Sequence, residues 1–306
     1  MMTYAELETF FTGLVATAQA RSIVCGITSG MACVHFGVAA TTKDCDVLCA
    51  ADSAADFLDL IAATEVRRVR PTYRGNLSPP LDARWMRGGW TAHIQWKLAP
   101  GDEVCLDVFG VAPRGSTPWD ERLRGFYVDP HVVAEMKRTN REKDWPFASA
   151  LGGQMLEAGE PRGWLHIHDL EILRRFARIS TIPPSLIAAR PVLRLTPFAD
   201  TLRMKRLLAA ERAFWSEMDE LRIRIYQRHL RPYTSAVRSG GGRAALRESH
   251  EIRLRCATAH LPPRPLSEYG IARMVREVRE TVGVTVGPDV VEWLPRASEN
   301  FHGLEP

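Results

Sequence analysis

Two aspartates set two residues apart, Asp44 and Asp46, stand at the head of the apolar run Val47-Leu48-Cys49. Successive side chains of a strand leave opposite faces, so a strand over 44–49 sends both carboxylates to one face and Cys45 and Val47 to the other. Like charges crowded into an apolar segment are costly to ionise together unless a cation offsets them. A chain that keeps this strand has to bring positive charge to its end. Magnesium meets the requirement, because hard oxygen ligands suit it and phosphates and water complete its octahedron. The plainer alternative is a loop-to-strand junction whose aspartates cap a turn.

A third carboxylate, Asp107, lies among apolar neighbours in Val104-Cys105-Leu106-Asp107-Val108-Phe109. Residues 91–98 and 103–109 flank Pro100-Gly101-Asp102, which is the turn chemistry of a hairpin. If the second of these strands lies beside 44–49, the three aspartates converge and can hold two metals about 4 Å apart, the geometry of in-line phosphoryl or nucleotidyl displacement. Upstream, Thr28-Ser29-Gly30 joins a short buried strand at 21–27 to a helix at 30–37. Backbone N–H groups and the positive helix end there suit phosphate oxygens.

This succession resembles the DNA polymerase β-like nucleotidyltransferase superfamily, whose pattern is a strand, a small-residue turn, about a dozen residues and then Asp-x-Asp or Asp-x-Glu. Ser29-Gly30 fills the turn and Asp44-Cys45-Asp46 the metal pair, 13 residues later. Thr42 stands two before the first aspartate, as in many members, and Asp107 matches the third carboxylate. The resemblance covers about residues 1–155. Two departures are visible: the turn reads Ser-Gly instead of Gly-Ser, and Ala40 stands where an arginine is often found. What the resemblance implies is magnesium held by Asp44, Asp46 and Asp107, with Asp107 helping to deprotonate the attacking hydroxyl, and nucleotide contact by Ser29, Gly30 and Thr42.

The stretch 136–144 resembles a Lys-x-x-x-Arg-x-Lys-Asp signature that follows the catalytic domain in several bacterial members, abortive-infection toxin relatives among them. That likeness puts Lys137 and Arg141 on the triphosphate, with Lys143 a further candidate. The plainer reading of these charges, and the favoured one, is a solvated helix face with i,i+4 ion pairs. The activity implied is transfer of a nucleoside monophosphate from a nucleoside triphosphate to a hydroxyl acceptor, RNA or transfer RNA among the candidates, and toxin relatives imply an antitoxin partner. A catalytically inactive nucleotide-binding regulatory module with the same fold is the alternative. Three retained carboxylates weigh towards the enzyme, since a binding module has little reason to keep their repulsion.

Around this constellation the periodicity predicts an α+β chain. A helix at 4–20 opens it, and a second runs over 53–64 with Ser53 at its amino end. Asn76, Ser78, Pro79 and Pro80 make 75–84 an exposed, mobile loop. After Pro118 the pattern turns helical, with helices at 130–139, 141–158, 168–179 and 198–230. Ser239-Gly240-Gly241-Gly242 reads as a flexible connection, and the proline- and glycine-rich end from Pro262 either wraps over the domain or stays loose. The expected division is a mixed-sheet nucleotidyltransferase domain with flanking helices over 1–158, followed by a mostly helical accessory domain over 159–306.

Charge separates the same two parts. Residues 1–150 carry 16 basic and 18 acidic side chains, a balance of −2, and residues 151–306 carry 24 and 18, a balance of +6. Arg203, Lys205, Arg206, Arg222, Arg224 and Arg228 are the positions that would take RNA phosphates. The six cysteines follow no CxxC spacing and read as reduced. No apolar stretch is long enough for a bilayer and the start is a poor signal peptide, so a cytoplasmic protein without membrane contact is expected. His166 and His168 alternate without a third metal ligand, His35 reads as packing or surface, and Trp85, Trp90 and Trp96 read as packing rather than as a base-stacking platform.

Overall fold

Thr3 opens the first helix, α1 (Tyr4–Ala20), with a reciprocal cap: its hydroxyl accepts from the Glu6 amide and the Glu6 carboxylate accepts from the Thr3 amide at 2.7 Å. Leu7, Phe11, Leu14, Val15 and Ala18 recur every three or four residues along it and are buried. The computed structural model describes residues 2–114, 122–196, 200–241 and 245–296. The turn expected at Pro118, the helix start at Phe198, Gly242 and everything past 296 lie outside them.

Strand β1 (Cys25–Thr28) runs into helix α2 (Ser29–His35), and β2 (Cys45–Cys49) is followed by α3 (Ala54–Ala62). A short β3 (Thr72–Tyr73) and α4 (Ala83–Met86) precede the hairpin β4 (Thr91–Ala99) and β5 (Asp102–Phe109). Two-residue strands β6 (Leu123–Arg124) and β7 (Tyr127–Val128) complete a seven-stranded sheet of order β3-β4-β5-β2-β1-β7-β6. The sheet is mixed: β2 pairs with β5 and β1 with β7 in parallel, and the other neighbours are antiparallel. The chain is α+β, as its periodicities predict.

Register divides the sheet into alternating rows. Ile27, Val47, Val108 and Ala92 are neighbours across β1, β2, β5 and β4, and they share one hydrophobic cluster with α1 and with Phe57, Leu58 and Ile61 of α3. Phe10 and Phe11 meet Trp96 edge-on at 5.3 and 6.5 Å. The adjacent row, Thr28, Asp46, Asp107 and His93, belongs to the other face, because a shift of one residue flips every side chain.

Beyond the sheet come α5 (Pro130–Met136), α6 (Trp145–Glu157), α7 (Leu170–Ala177) and α8 (Pro184–Ala189). The longest element is α9 (Thr201–Ser239), 39 residues and about 58 Å at 1.5 Å per residue. Then follow α10 (Leu246–His260), α11 (Pro265–Tyr269), α12 (Ile271–Val286) and α13 (Pro288–Val291). A second hydrophobic cluster gathers the inner faces of α7, α9 and α12, and takes in Trp85, Trp90 and Trp145 from the first half of the chain. Leu246 of α10 joins the sheet cluster instead. Among the described residues, no helix is long and apolar enough to cross a membrane.

Several local expectations are corrected. Asp44 precedes β2 instead of beginning it. Ser53 does not cap α3; a 3-10 turn over Ala51–Ser53 comes first, and the Ser53 hydroxyl accepts from the Val24 amide at 3.2 Å. The helix expected from Arg141 begins as a 3-10 turn over Glu142–Asp144 and becomes regular at Trp145. The long helix runs to Ser239 through Pro232, with Tyr233 and Val237 fully buried beyond it. Between Pro262 and Arg296 the chain forms α11, α12 and α13, and the apolar stripe of α12, Ile271, Met274, Val275, Val278 and Val282, packs into the second cluster.

The 75–84 segment departs furthest. Ser78 and Leu81 are fully buried. Tyr233 and Arg253 each donate to the Ser78 carbonyl at 2.7 Å, Arg253 also donates to the Gly75 carbonyl at 2.7 Å, and the Leu81 amide donates to the Tyr73 hydroxyl at 3.0 Å. Turn chemistry describes the bends of this segment correctly but says nothing of what lies over it, and here α9 and α10 cover it.

Candidate active site

The polar row is built by pairing alone. Thr28 is the register partner of Asp46, Asp46 of Asp107, and Asp107 of His93, while the Arg74 amide donates to the His93 carbonyl at 2.8 Å one strand further out. Five strands thus deliver Arg74, His93, Asp107, Asp46 and Thr28 side by side. Asp46 and Asp107, far apart in sequence, become nearest neighbours on the same face of parallel strands.

Asp46 is the electrostatic centre. Burial, and then the negative charges of Asp107 and Asp44, push its carboxyl up to about 7, against the opposing pull of a Ser29 hydroxyl hydrogen bond and the Lys137 ammonium. Asp44 itself is exposed, and its carboxylate accepts from the Thr42 hydroxyl at 3.2 Å.

Ser29 and Gly30 divide the work of the turn differently from the sequence expectation. Ser29, not the glycine, takes the left-handed conformation, with φ of 54°, a region costly for a residue with a β-carbon. The glycine serves close approach: a β-carbon on Gly30 would lie 2.6 Å from the Thr42 hydroxyl oxygen. Ser29, Gly30 and Thr42 are therefore assembled around the two aspartates they were grouped with. The α2 terminus adds no side-chain cap of its own.

Asp107 is held by two side chains that the motif does not include, Arg74 and His93. Arg74 Nη2 donates to both of its oxygens at 2.7 and 3.0 Å, and His93 Nδ1 lies 2.8 Å from Oδ1. The same guanidinium nitrogen is 3.1 Å from His93 Nδ1. His93 stands opposite Asp107 because the hairpin register shifts by one residue between Lys97 and Ala99, whereas the turn alone would set Ile94 there, so this neighbour was not readable. Arg74 was not readable either, because it follows the two-residue β3, too short to show alternation.

The charges at 136–144 divide: Arg141, Glu142 and Lys143 are exposed, as a solvated face requires, and the others are not. Lys137 and Arg138 are buried, and Lys137 Nζ lies 3.5 Å from Asp144, itself buried. Arg141 pairs with the same Asp144 at 2.6 Å and Thr139 donates to it at 2.8 Å, so Asp144 is the hub of the signature. Of the two positions expected on triphosphate, Lys137 acts on Asp46 and Arg141 points its more exposed side chain to Asp144.

Among the described residues, no group of three or more His, Cys, Asp and Glu side chains is arranged to hold a metal ion. Asp44 and Asp46 nevertheless have the donor chemistry that magnesium takes: hard oxygens in a locally uncompensated negative site that keeps Asp46 partly protonated near neutrality. Two carboxylates with phosphate and water oxygens suffice for magnesium. Two openings flank the row. One, of about 470 Å³, is bordered by Thr42, Asp44 and Arg74, and the other, of about 250 Å³, by Trp90, His93, Arg222, Tyr226 and Gln227.

The remaining candidates lie elsewhere. His35 is exposed and stacks on Tyr127 at 3.7 Å. His166 is buried against His131, 2.8 Å away, and burial holds it well below the usual imidazole range. Trp85, Trp90 and Trp96 are all buried, and all six cysteines are free thiols. Three of the six basic positions proposed for RNA are taken by carboxylates: Arg206 by Asp289, Arg222 by Asp219 and Arg224 by Glu220. Arg203 and Arg228 lie over the rings of Trp293 and Tyr269.

The chain matches no protein-family model, no curated protein and no solved structure. The chemistry of the site therefore rests on its own residues.

Proposed function

We propose that the protein is a magnesium-dependent nucleotidyltransferase that moves a nucleoside monophosphate from a nucleoside triphosphate to a hydroxyl acceptor. The observation that carries this reading is the register pairing of Asp46 with Asp107, with Asp44 and the Ser29-Gly30 turn beside them. Asp44 and Asp46 would hold the ion, and Ser29, Gly30, Thr42 and Lys137 would lie against the phosphates. Bound magnesium would neutralise the triphosphate and polarise its α-phosphate for in-line attack. Lys137 contributes a buried positive charge on the α5 side of Asp46, and Arg74 fixes Asp107 in place. An RNA acceptor is supported by the +6 balance of residues 151–306, and an antitoxin partner only by the likeness of the 136–144 signature to toxin relatives.

A second reading, a nucleotide-binding module without turnover, is favoured by one observation: both oxygens of Asp107 are already taken by Arg74 and His93. Pyrophosphate release separates the two. Purified protein incubated with each labelled triphosphate, magnesium and total cell extract is expected to release pyrophosphate and to label one product class, which names the acceptor. Magnesium-dependent triphosphate binding without pyrophosphate release would establish the binding module instead.

A further inference from the structure

Asp107 cannot easily serve as the proton acceptor that the family resemblance implies. Three hydrogen-bonding distances of 2.7, 3.0 and 2.8 Å tie it to Arg74 and His93, so its oxygens are already engaged by protein donors. The partner it holds is better placed. His93 is only partly buried, at 31% side-chain exposure, and it lines the 250 Å³ pocket between β4 and α9. Its backbone is fixed on both sides, the amide donating to the Ser78 hydroxyl at 2.7 Å and the carbonyl accepting from Arg74. Its ring is fixed through Nδ1. Nδ1 faces the Asp107 carboxylate at 2.8 Å, and a neutral ring that donates there presents Nε2 as an acceptor.

The pocket has the character of a small binding site. Trp90 and Tyr226 meet edge-on at 4.7 Å and form an apolar wall, held by bonds to the Pro262 and Gly88 carbonyls. Gln227 and Arg222, the latter paired with Asp219, also line it. Its volume of about 250 Å³ admits a ring-sized group. Among the pocket's lining residues, His93 is the one that touches the row of aspartates.

We infer that this pocket is the entry of the acceptor hydroxyl and that His93, oriented by Asp107, receives its proton. The inference rests on the nucleotidyltransferase reading. In the step, the acceptor oxygen bonds to the α-phosphorus as the bond to pyrophosphate breaks. The electron pair leaves with pyrophosphate, and the hydroxyl proton passes to His93 Nε2, whose positive charge Asp107 then balances. Asp107 is on this account a positioning residue.

The test uses the full chain with magnesium, the triphosphate that the parent turns over, and total cellular RNA, free nucleosides and cell extract as separate acceptor probes. His93→Ala is expected to lower the single-turnover transfer rate on the order of 10²- to 10⁴-fold, to leave triphosphate affinity within about twofold, and to regain rate when imidazole is added. His93→Gln should keep the fold without the base and show no gain beyond His93→Ala. Nitrogen NMR of the parent imidazole should find Nδ1 protonated and Nε2 bare. A transfer rate within about threefold of the parent in His93→Ala, or the opposite tautomer, overturns the role of His93 while nucleotidyl transfer stands. Absence of both triphosphate binding and pyrophosphate release in the parent overturns both.

Discussion

Arg74 donates from a single guanidinium nitrogen to both oxygens of Asp107, across the strand that carries His93. The pair is partly buried, and Asp107 stands next to Asp46 in a row with no other strong cation on that side. Breaking a pair of this kind leaves its surviving partner uncompensated.

Arg74→Ala should therefore destabilise the fold at pH 8 by about 1–3 kcal/mol and push the Asp46 carboxyl further up. The double change Arg74→Ala, Asp107→Asn should recover much of the loss, because no lone carboxylate remains. Urea unfolding of the four proteins in a double-mutant cycle measures the coupling. Additive losses would mean that the pair contributes nothing.

Asp46→Asn carries a pH signature. In the folded protein the carboxyl is pushed from 3.8 up to about 7, so between these values the native state binds the proton that the unfolded chain has lost. Stability from this group falls as pH rises through that window and the loss is complete above about 7. Without magnesium, the variant should match the parent near pH 4 and exceed it by about 1–4 kcal/mol at pH 8. Magnesium should raise the parent's Tm at pH 8 and leave the variant's unchanged. Calorimetry at both pH values, with and without the ion, decides; a parallel pH dependence of the two proteins would refute the perturbed carboxyl.

Gly30→Ala places a methyl group 2.6 Å from the Thr42 oxygen. Overpacking of this size costs about 1–3 kcal/mol, and the additional change Thr42→Ala should return part of it. Denaturant midpoints report the stability, and fluorescent triphosphate titration should show weaker binding in the single variant, since the Thr42 to Asp44 contact has to move.

Lys137→Met keeps the volume of a buried side chain and removes the positive charge that acts on Asp46. Affinity for magnesium triphosphate is expected to fall by about tenfold or more, equivalent to 1.4 kcal/mol. Equal dissociation constants by calorimetric titration would return Lys137 to a purely structural bond with Asp144.

The parts of this site that are local in sequence were legible there. Asp44-Cys45-Asp46 and the hairpin around Gly101 follow from period-two alternation and turn chemistry, and together they set Asp107 beside Asp46. His93 was not, because the register shift between Lys97 and Ala99 puts it, instead of Ile94, opposite Asp107. Nor was the burial of Ser78, which depends on Tyr233 and Arg253 through tertiary hydrogen bonds that leave no periodicity behind. Lys137 was misjudged for a related reason. A dense charged run usually lies in water, and its partner Asp144 reveals itself only once the chain turns at Thr139.

The fastening of the Gly75 and Ser78 carbonyls by Arg253 also sets an order of events during synthesis. The aspartates leave the ribosome early, and the sheet that aligns them can pair as soon as β5 is free. Arg74 joins that sheet through β3 and β4, but the Gly75 carbonyl beside it waits for α10, translated much later. A nascent or truncated chain without α10 would then hold its aspartates in a paired sheet while the loop next to Arg74 lacked its guanidinium clamp, so the carboxy-terminal half would tighten a site whose side chains all precede it.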